Sequence, residues 1–312
     1  MSGGPEPLVL LSGGTGGAKL ALGMLEAFGP ERLTVIANTG DDIEIHGGLV
    51  SPDPDLVSFW LAGLIDERGW GLREDTFVVM DELRARGEDV WFNLGDRDLA
   101  WCLRRSNLLA EGLTATAALH ELNRSIGQPV PVLPMSDEPV RTWVSTPATG
   151  WIGFQEFMIR MRAQGPVDGI EFRGAERAAP TTKVLDAIAG AHAIVIGPSN
   201  PLASIAPILA VPGLEAALRD AAAPVLAVSP IVGGEVLKGP TAAFMALEGL
   251  ECSASGVREH YGALLDGIVA DEQPGAEDLP ALRTQTLMGT AEQRTALARE
   301  VIAFAEKLRD GS

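Results

Sequence analysis

Residues 8–28 read LVLLSGGTGGAKLALGMLEAF, and this stretch decides the fold. Its first four residues are a continuous apolar run, which is typical of a short buried strand. The glycines that follow allow a tight turn, and the apolar residues between Leu20 and Phe28 predict a helix. A buried strand, a glycine-rich turn and a helix in succession indicate an α/β fold.

The same pattern returns further along the chain. Apolar runs at 33–37 and 193–196 predict further buried strands, and the run at 225–228 predicts another. Short apolar strands that alternate with helices are typical of a parallel sheet covered on both faces. We therefore predict a Rossmann-like, mostly parallel sheet flanked by helices. The chain ends in an amphipathic helix with Thr290 as its N-cap and Gln293 three residues on.

Between about residues 110 and 180 the pattern changes. A helical run gives way to extended segments bounded by prolines, without crossover helices between them. We predict an inserted, partly antiparallel α+β subdomain here, within one Rossmann-like unit that spans residues 1–312. No internal repeat or low-complexity linker divides the chain.

The composition excludes several classes of function. The net charge is −18, from 42 acidic and 24 basic residues, and such a surface repels nucleic acids and anionic membranes. No apolar run approaches the roughly 20 residues of a membrane span, and the start of the chain lacks the basic segment of a secretory signal. Two cysteines cannot form a disulfide framework. We therefore expect a cytoplasmic protein that binds neither nucleic acid nor membrane.

The glycine-rich turn is the first candidate site. Glycines let a backbone approach a phosphate, and a helix N-terminus presents free N–H groups and the positive end of a dipole. The turn is neither a Walker loop nor a GxGxxG fingerprint, and a tight turn without a ligand is the alternative interpretation. We predict phosphate binding by Gly13, Gly14, Thr15, Gly16 and Gly17.

Carboxylates follow the second strand. Asn38-Thr39-Gly40-Asp41-Asp42 ends that strand, and Ser51-Pro52-Asp53-Pro54-Asp55 comes shortly after. Carboxylates near a phosphate repel it unless a cation joins them, and oxygen ligands favour Mg²⁺. Capping by Asp53 or Asp55 of a helix that begins near Leu56 is the alternative. His46 lies between the two groups, and a structural role is the preferred interpretation for it.

Three further segments complete the candidates. In Asn93–Asp98, Asp96 is a possible N-cap, and Arg97 in the first helical turn opposes the helix dipole, which indicates a functional role. The alternative is a surface ion pair. Residues 197–201 (GPSNP) and 229–234 (SPIVGG) follow buried strands, where ligands of open α/β sheets bind. With the glycine-rich turn, they outline one crevice.

The motifs SGGTGGAKL, NTGDD, SPDPD, LGDRD, PMSDEPV, GPSNP and SPIVGG occur in an order that resembles the 2-phospho-L-lactate transferase family of deazaflavin coenzyme biosynthesis. The resemblance covers residues 8 to about 265. It implies a transferase that joins the phospho-acid moiety of a guanosine diphosphate-activated donor to the deazariboflavin precursor Fo and releases GMP. It leaves open whether the acid is 2-phospho-L-lactate, phosphoenolpyruvate or phosphoglycerate.

The resemblance also implies roles for residues. The glycines would face the donor phosphates, Asp42 and Asp55 would be the catalytic and Mg²⁺-binding carboxylates, and Asp55 and Arg97 would contact Fo. Ser199, Asn200 and Pro201 would help to hold the nucleotide. Which aspartate, if either, deprotonates the Fo hydroxyl stays open. The family also suggests a homodimer. Trp60, Trp70 and Trp91 are candidates for stacking on the deazaflavin ring, with core packing as the alternative.

A competing function is a nucleotide-sugar-binding regulator of carbon metabolism or cell-wall synthesis, without enzymatic activity. A distant branch of the same superfamily shares the glycine-rich start and has this role. That branch tends to follow its second strand with a run of small residues, where this chain has Gly40–His46 and then SPDPD. This difference favours the transferase. A dehydrogenase is disfavoured because the dinucleotide fingerprint is missing.

Overall fold

The computed structural model describes residues 6–236, 239–275 and 279–311. Its strands are β1 Leu8–Ser12, β2 Leu33–Ala37, β3 Ile43–Ile45, β4 Gly48–Val50, β5 Val132–Pro134, β6 Arg141–Thr146, β7 Gly150–Gly153, β8 Gly169–Arg173, β9 Ala193–Ile196, β10 Val225–Val228, β11 Ile231–Val232, β12 Glu235–Val236, β13 Gly267–Ala270 and β14 Ala281–Arg283. Seven of them form the main sheet, in the order β14-β13-β10-β9-β1-β2-β5. Every neighbouring pair in this sheet is parallel. The predicted fold class is confirmed.

The helices lie between these strands. They are α1 Gly14–Phe28, α2 Pro52–Leu61, α3 Val78–Ala85, α4 Asp96–Ala110, α5 Ala115–Ser125, α6 Thr182–Ala189, α7 Ala206–Leu209, α8 Leu214–Arg219, α9 Thr241–Leu247, α10 Ala254–Tyr261 and α11 Ala291–Asp310. Short π-helical turns occupy Glu156–Arg160 and Pro201–Ile205, and 3₁₀ turns occupy Ala175–Arg177 and Gly262–Leu264. No helix among the described residues is long and apolar enough to cross a membrane.

The central strands are apolar throughout because both faces of the sheet are covered. All residues of β1, β9 and β10 are buried. Alternate residues of β1 point into two different apolar clusters, with Val9 and Leu11 in one and Leu8 and Leu10 in the other. This two-sided burial explains why these strands lack the polar alternation of a half-exposed strand.

The predicted insertion contains the antiparallel sheet β7-β6-β8, which spans residues 141–173. The predicted range of about 110–180 also includes β5, which pairs parallel with β2 as an edge strand of the main sheet. The antiparallel portion is therefore shorter than the range that the change of pattern suggested.

The predicted caps are partly confirmed. Thr290 and Gln293 form a reciprocal capping box at the start of α11. Asp96, in contrast, does not cap its own helix: its carboxylate accepts hydrogen bonds from the backbone N–H groups of Val78 and Val79 in α3. That prediction was wrong because the carboxylate bonds to a helix that is distant in sequence.

Helix α1 packs closely against α11 at a glycine. A Cβ atom added to Gly23 would lie 2.4 Å from the backbone carbonyl oxygen of Arg294. Glycine inside a helix normally costs stability relative to alanine, so this position is a packing requirement. It allows the last helix to cover the first one closely.

We expect Gly23→Ala to lower the free energy of unfolding by about 1–3 kcal/mol, because the two helices must separate. Gly153→Ala is the matched control, since its Cβ would have its nearest neighbour at 3.9 Å. Thermal or urea unfolding of both variants measures the difference. Equal or higher stability of the Gly23 variant would contradict the close packing.

Candidate active site

One large cavity lies beyond the carboxyl ends of the parallel strands. It has a volume of about 730 Å³ and is lined by residues that follow four strands, namely Gly13–Gly16 after β1, Asp41 after β2, Pro198–Asn200 after β9, and Ser229 and Pro230 after β10. Strand β1 lies between β9 and β2, so the chain crosses to opposite sides of it. Open α/β sheets bind ligands at such a switch point. The predicted crevice is confirmed as one cavity.

The glycine-rich turn is the N-terminus of α1, which begins at Gly14 without a side-chain cap. Two of its amides are already bonded: Gly13 N–H donates to Ser199 Oγ at 3.2 Å, and Gly14 N–H donates to Asp53 Oδ1 at 2.7 Å. The backbone approaches its neighbours closely here, since a Cβ on Gly16 would lie 2.0 Å from the Pro198 carbonyl oxygen. Gly13, Gly14, Thr15 and Gly16 line the cavity.

Gly17 is buried beneath the turn and has a packing role. A Cβ added there would lie 2.2 Å from Ser12 Oγ. The close contact of Gly16 with Pro198 also has a consequence for mutagenesis. A valine at Gly16 would displace the 197–201 turn as well as block a ligand, so its effect on binding and its effect on folding cannot be separated.

Asn38, fully buried at the end of β2, connects the acidic residues. Its Nδ2 donates to Asp41 Oδ1 at 3.0 Å and to Asp53 Oδ2 at 2.9 Å, while its Oδ1 accepts from the Gly40 N–H. Burial raises the pKa of the Asp41 carboxyl well above its usual range, and the charge of Asp53 raises it further. Burial also raises the pKa of Asp53. Two buried carboxyl groups therefore share one amide beside the glycine-rich turn.

Helix α2 begins at Pro52, four residues before the predicted start near Leu56. Asp53 and Asp55 lie in its first turn, but neither acts as a cap. Asp53 bonds to the glycine-rich turn, as described above. The capping interpretation of both aspartates is wrong because each side chain bonds to a distant segment.

Asp55 is held in a buried ion pair with Arg105. The Arg105 guanidinium donates to both carboxylate oxygens, with Nη1 at 3.0 Å from Oδ2, and Trp101 Nε1 donates to Oδ1 at 2.8 Å. Arg105 also donates to the Leu49 carbonyl oxygen. Asp55 lines the cavity, so this wall carries a carboxylate fixed from behind by two donors.

Asp42 does not line the cavity. Its Oδ1 accepts from Ser51 Oγ at 2.7 Å, and Arg141 Nη1 lies 3.9 Å from its Oδ2. Burial raises the pKa of Asp42 to about 7 despite the nearby Arg141. Of the two predicted catalytic aspartates, Asp55 lines the cavity and Asp42 does not, although the charge of Asp55 contributes to the raised pKa of Asp42.

Arg97 also lies outside the large cavity. Its side chain is exposed, Nη1 donates to the carbonyl oxygen of Arg73, and it lines a smaller cavity of about 290 Å³ beside Trp101 and Arg104. Its position in the first turn of α4 is compensated by Asp75, which accepts from the N–H groups of Arg97 and Asp98. The electrostatic conflict that indicated function is therefore resolved locally.

Of the remaining predicted site residues, some line the large cavity and others do not. Ser199 and Asn200 line the large cavity, and Pro201 is buried behind them. Of the three candidate tryptophans, Trp70 lines the cavity. His46 forms the turn between β3 and β4 with positive φ, and its Nε2 lies 2.8 Å from the Phe92 carbonyl oxygen, which fits the structural role preferred for it.

Two lining residues have buried polar atoms without a partner among the described residues. They are Asn200 Nδ2 and Thr286 Oγ1. The Oδ1 atom of Asn200 accepts from the N–H groups of Leu202 and Ala203, which fixes the orientation of its amide. Buried polar groups are normally paired, so each of these two atoms lacks a partner that such groups usually have.

Asp98 was not predicted from the sequence. It lines the cavity, and its side chain contacts Cys102 Sγ at 3.9 Å. Burial raises the pKa of Asp98 to about 7, with further contributions from the charges of Asp55 and Asp75. The LGDRD motif contained this residue, but only the fold shows that its carboxyl faces another acidic side chain.

The oxygen donors in this region fit a hard divalent cation. Carboxylates and amide oxygens are the ligands that Mg²⁺ prefers. A bound cation would also lower the pKa of buried carboxyl groups whose pKa is raised by burial and by neighbouring carboxylates. Among the described residues, the compact group of three His, Cys, Asp or Glu ligands, with atoms within 4.8 Å of one another, is Glu6, His192 and Glu306, so the cavity aspartates do not form such a group by themselves. Glu6 and His192 precede β1 and β9, at the amino ends of the strands, and Glu306 lies in α11. The Arg309 guanidinium contacts both ring nitrogens of His192.

The sequence profile of the family described as 2-phospho-L-lactate transferase CofD matches residues 8–302. The chain belongs to this family. It is 38% identical over 303 residues to a 2-phospho-L-lactate transferase of Methanosarcina mazei, a match that covers 95% of this chain and 99% of that one. It is 39% identical over 315 residues to a phosphoenolpyruvate transferase of Streptomyces griseus subsp. griseus, covering 97% and 99%.

A solved structure supports the fold of the transferase family member. A member of the UPF0052 family from Bacillus halodurans superposes with a TM-score of 0.62, covering 96% of this chain and 100% of that one at 15% sequence identity. At this identity the likeness concerns the fold alone. The chain is thus a transferase of the phospholactyl or phosphoenolpyruvyl type on a Rossmann-like sheet.

Asp98→Asn tests the electrostatics of the cavity wall. Because the pKa of Asp98 rises from 3.8 to about 7 on folding, the native state binds more protons than the unfolded chain between these values, and stability falls as pH rises. The variant removes this penalty. We expect its Tm to exceed that of the parent by roughly 2–4 °C at pH 8, and the difference to vanish near pH 4.

Asp96→Asn on the same helix is the control with the opposite sign. Hydrogen bonds from Thr76 and from the backbone of α3 lower the pKa of Asp96, so its carboxylate stabilises the fold at neutral pH and less so in acid. Thermal unfolding of both variants at pH 4 and pH 8 makes the comparison. A Tm difference for Asp98→Asn that is the same at both pH values would contradict a buried, pKa-shifted carboxyl.

Proposed function

We propose that this protein transfers the phospho-acid moiety of a guanosine diphosphate-activated donor to the hydroxyl of Fo and releases GMP. The acid is 2-phospho-L-lactate, phosphoenolpyruvate or phosphoglycerate. The observation that supports this function best is a single cavity lined both by a phosphate-type backbone turn and by a large set of aromatic and aliphatic side chains. The names of the similar proteins, which specify transferases of both phosphorylated acids, support it as well.

The polar groups of the cavity lining suit the donor. The N-terminus of α1 provides amides and the positive end of the helix dipole for a diphosphate. The unpaired donors Asn200 Nδ2 and Thr286 Oγ1 are suited to oxygen or nitrogen acceptors of a nucleotide. The Ser199 hydroxyl fixes the Gly13 backbone, so its contribution is to hold the turn in place.

The apolar part of the cavity lining suits the planar ring system of Fo. Its lining residues are aromatic or aliphatic side chains, namely Phe59, Trp70, Leu72, Phe77, Phe92, Phe154, Met158, Ile159 and Leu287. Trp70 is half exposed. Ring systems bind to such walls through apolar burial and stacking. We therefore place the acceptor between this wall and the carboxylates of α2.

The reaction requires alignment and charge neutralisation. The Fo hydroxyl oxygen attacks the phosphorus that carries the acid, the bond from this phosphorus to the bridging oxygen breaks, and GMP leaves with the electron pair. The hydroxyl proton passes to a carboxylate of the cavity wall. Asp55, held in place by Arg105 and Trp101, is positioned to orient the hydroxyl.

We also propose that the enzyme uses Mg²⁺, held by Asp42 and Asp55 as the family resemblance implies. Asp41 and Asp53, which lie beside the glycine-rich turn, extend the set of acidic ligands. When bound, the cation neutralises charge on the diphosphate and on the transferring phosphoryl group. Asp55 keeps lone pairs for this role, because a carboxylate has about four acceptor sites.

Transfer is tested by incubating the protein with Fo and each of the three guanylylated acids in the presence of Mg²⁺. We expect one of the three phosphodiester products and an equal amount of GMP, both detected by mass spectrometry. A matched incubation without Fo controls for hydrolysis of the donor. Absence of all three products from folded protein would refute the proposed transfer.

Metal dependence requires a separate experiment. Activity should disappear with EDTA and return with excess Mg²⁺, and Asp42→Asn should lower kcat by at least tenfold as an interaction in the transition state is lost. Asp55→Asn is a poor test, because it leaves Arg105 as an uncompensated buried charge, which typically costs about 3–5 kcal/mol of stability. Full activity in EDTA would refute a role for the metal.

The alternative function, a nucleotide-sugar-binding regulator, predicts different ligands. Thermal shift with GDP and Fo, compared with a uridine diphosphate sugar, separates the two functions. Stabilisation by Fo and GDP supports the transferase. Stabilisation by the uridine diphosphate sugar alone would favour the regulator. The predicted homodimer is a separate proposal that sedimentation velocity can test.

A further inference from the structure

The large cavity is strongly acidic for a site that accepts a diphosphate. Five aspartates line it: Asp41, Asp53, Asp55, Asp75 and Asp98. Among the residues that the structure describes, the basic side chains in its lining are Lys19 and Arg68. An anionic donor needs compensating charge at this wall, in addition to the helix dipole.

Arg68 lies on a short hairpin at the mouth of the cavity. Ile65 and Leu72 form an antiparallel bridge, and the Asp66 N–H donates to the Gly71 carbonyl oxygen at 3.0 Å. Gly69 at the tip has positive φ, which favours glycine. The hairpin therefore has a defined shape that fixes where its side chains begin.

The tip of this hairpin lies against the glycine-rich turn. A Cβ atom placed on Gly69 would lie 4.0 Å from Thr15 Cγ2, which is ordinary van der Waals contact. Arg68 is the neighbour of Gly69 in the chain. Its side chain thus begins next to the N-terminus of α1, where the donor phosphates are proposed to bind.

The guanidinium of Arg68 is oriented by two contacts on its own hairpin. Its Nε donates to Asp66 Oδ1 at 2.5 Å, and Cζ lies 4.3 Å from the centre of the Trp70 ring. The two terminal nitrogens make no hydrogen bond to any residue in 6–236, 239–275 or 279–311. A planar guanidinium held by its Nε and one face keeps its terminal nitrogens available for bidentate recognition of phosphate.

We propose that Arg68 binds a phosphate of the nucleoside diphosphate donor, beside the glycine-rich turn. This inference rests on the proposed function, since the donor diphosphate is its ligand. Asp66 and Trp70 are positioning residues, because they act on the phosphate through Arg68.

GDP binding to the full chain tests the assignment without requiring turnover. Isothermal titration with GDP and Mg²⁺ should show a Kd about 10- to 100-fold weaker for Arg68→Met, which keeps an apolar stem over Trp70 but removes the charge-assisted hydrogen bonds. Arg68→Lys should recover only part of the affinity, because the charge returns without the planar fork. Thermal unfolding of each variant verifies its fold.

Arg73→Met is the matched control. Arg73 lies on the same segment, is exposed, and donates to the Gly63 carbonyl oxygen outside the cavity lining. The Arg73→Met substitution removes the same charge as Arg68→Met. It should leave the Kd for GDP within about twofold of the parent value, because exposed charges at a distance are screened by salt. The loss for Arg68→Met should also shrink as ionic strength rises.

The outcomes separate the two proposals. Parent protein that binds GDP, with Arg68→Met binding it equally well, overturns the role of Arg68 and leaves the proposed function intact. An equal loss in Arg73→Met overturns it too, since the effect would then be one of net charge. Parent protein that does not bind GDP overturns the donor assignment and the role of Arg68 together.

Discussion

The side chain of Asn38 connects three segments of the site: the loop after β2, the start of α2 and, through Asp53, the glycine-rich turn. Its amide donates to Asp41 on the loop after β2 and to Asp53 on α2, and Asp53 accepts from the Gly14 N–H at the start of α1. One buried amide thereby fixes the distance between the glycine-rich turn and the acidic loop. Because a buried hydrogen-bond network loses strength when any member is unpaired, the position of each of these segments depends on the others.

The acidic character of the cavity has a cost for the fold. Burial raises the pKa of Asp42 and Asp98 to about 7, and it raises the pKa of Asp41 and Asp53 as well. Carboxyl groups that are harder to ionise in the native state than in the unfolded chain oppose folding at neutral pH. Perturbed carboxyls of this kind are concentrated where ligands bind. The proposed binding of a cation together with an anionic donor would offset this cost.

The sequence predicted the frame of the molecule well because its signals are local. Buried strands, the glycine-rich turn and the capping box of Thr290 and Gln293 all depend on residues within a few positions of one another. The predicted crevice followed from a general rule on the carboxyl ends of strands, and the cavity lies there. These predictions needed no knowledge of which distant side chains meet.

The detailed chemistry of the site could not be predicted in the same way. Asp53 resembled a helix cap, yet its partners Gly14 and Asn38 are 39 and 15 residues away. Arg105 gave no signal beyond its charge, and its partner Asp55 is 50 residues away. Arg97 appeared to oppose a helix dipole because the compensating carboxylate of Asp75 lies 22 residues earlier. Each error concerned a charged side chain whose partner is fixed by the fold.

The Arg105–Asp55 pair shows how the same interaction serves both the fold and the site. A buried ion pair adds little stability over a well-packed apolar pair, but the loss of one partner is severe. Its value lies in geometry, because two guanidinium contacts and the Trp101 N–H hold the Asp55 carboxylate at the cavity wall in one orientation. In the proposed transfer, alignment of the attacking hydroxyl would depend on such a fixed carboxylate, since a misplacement of about 1 Å can cost two orders of magnitude in rate. The scaffold behind the wall is therefore as much a determinant of the proposed transfer as the residues that face the substrate.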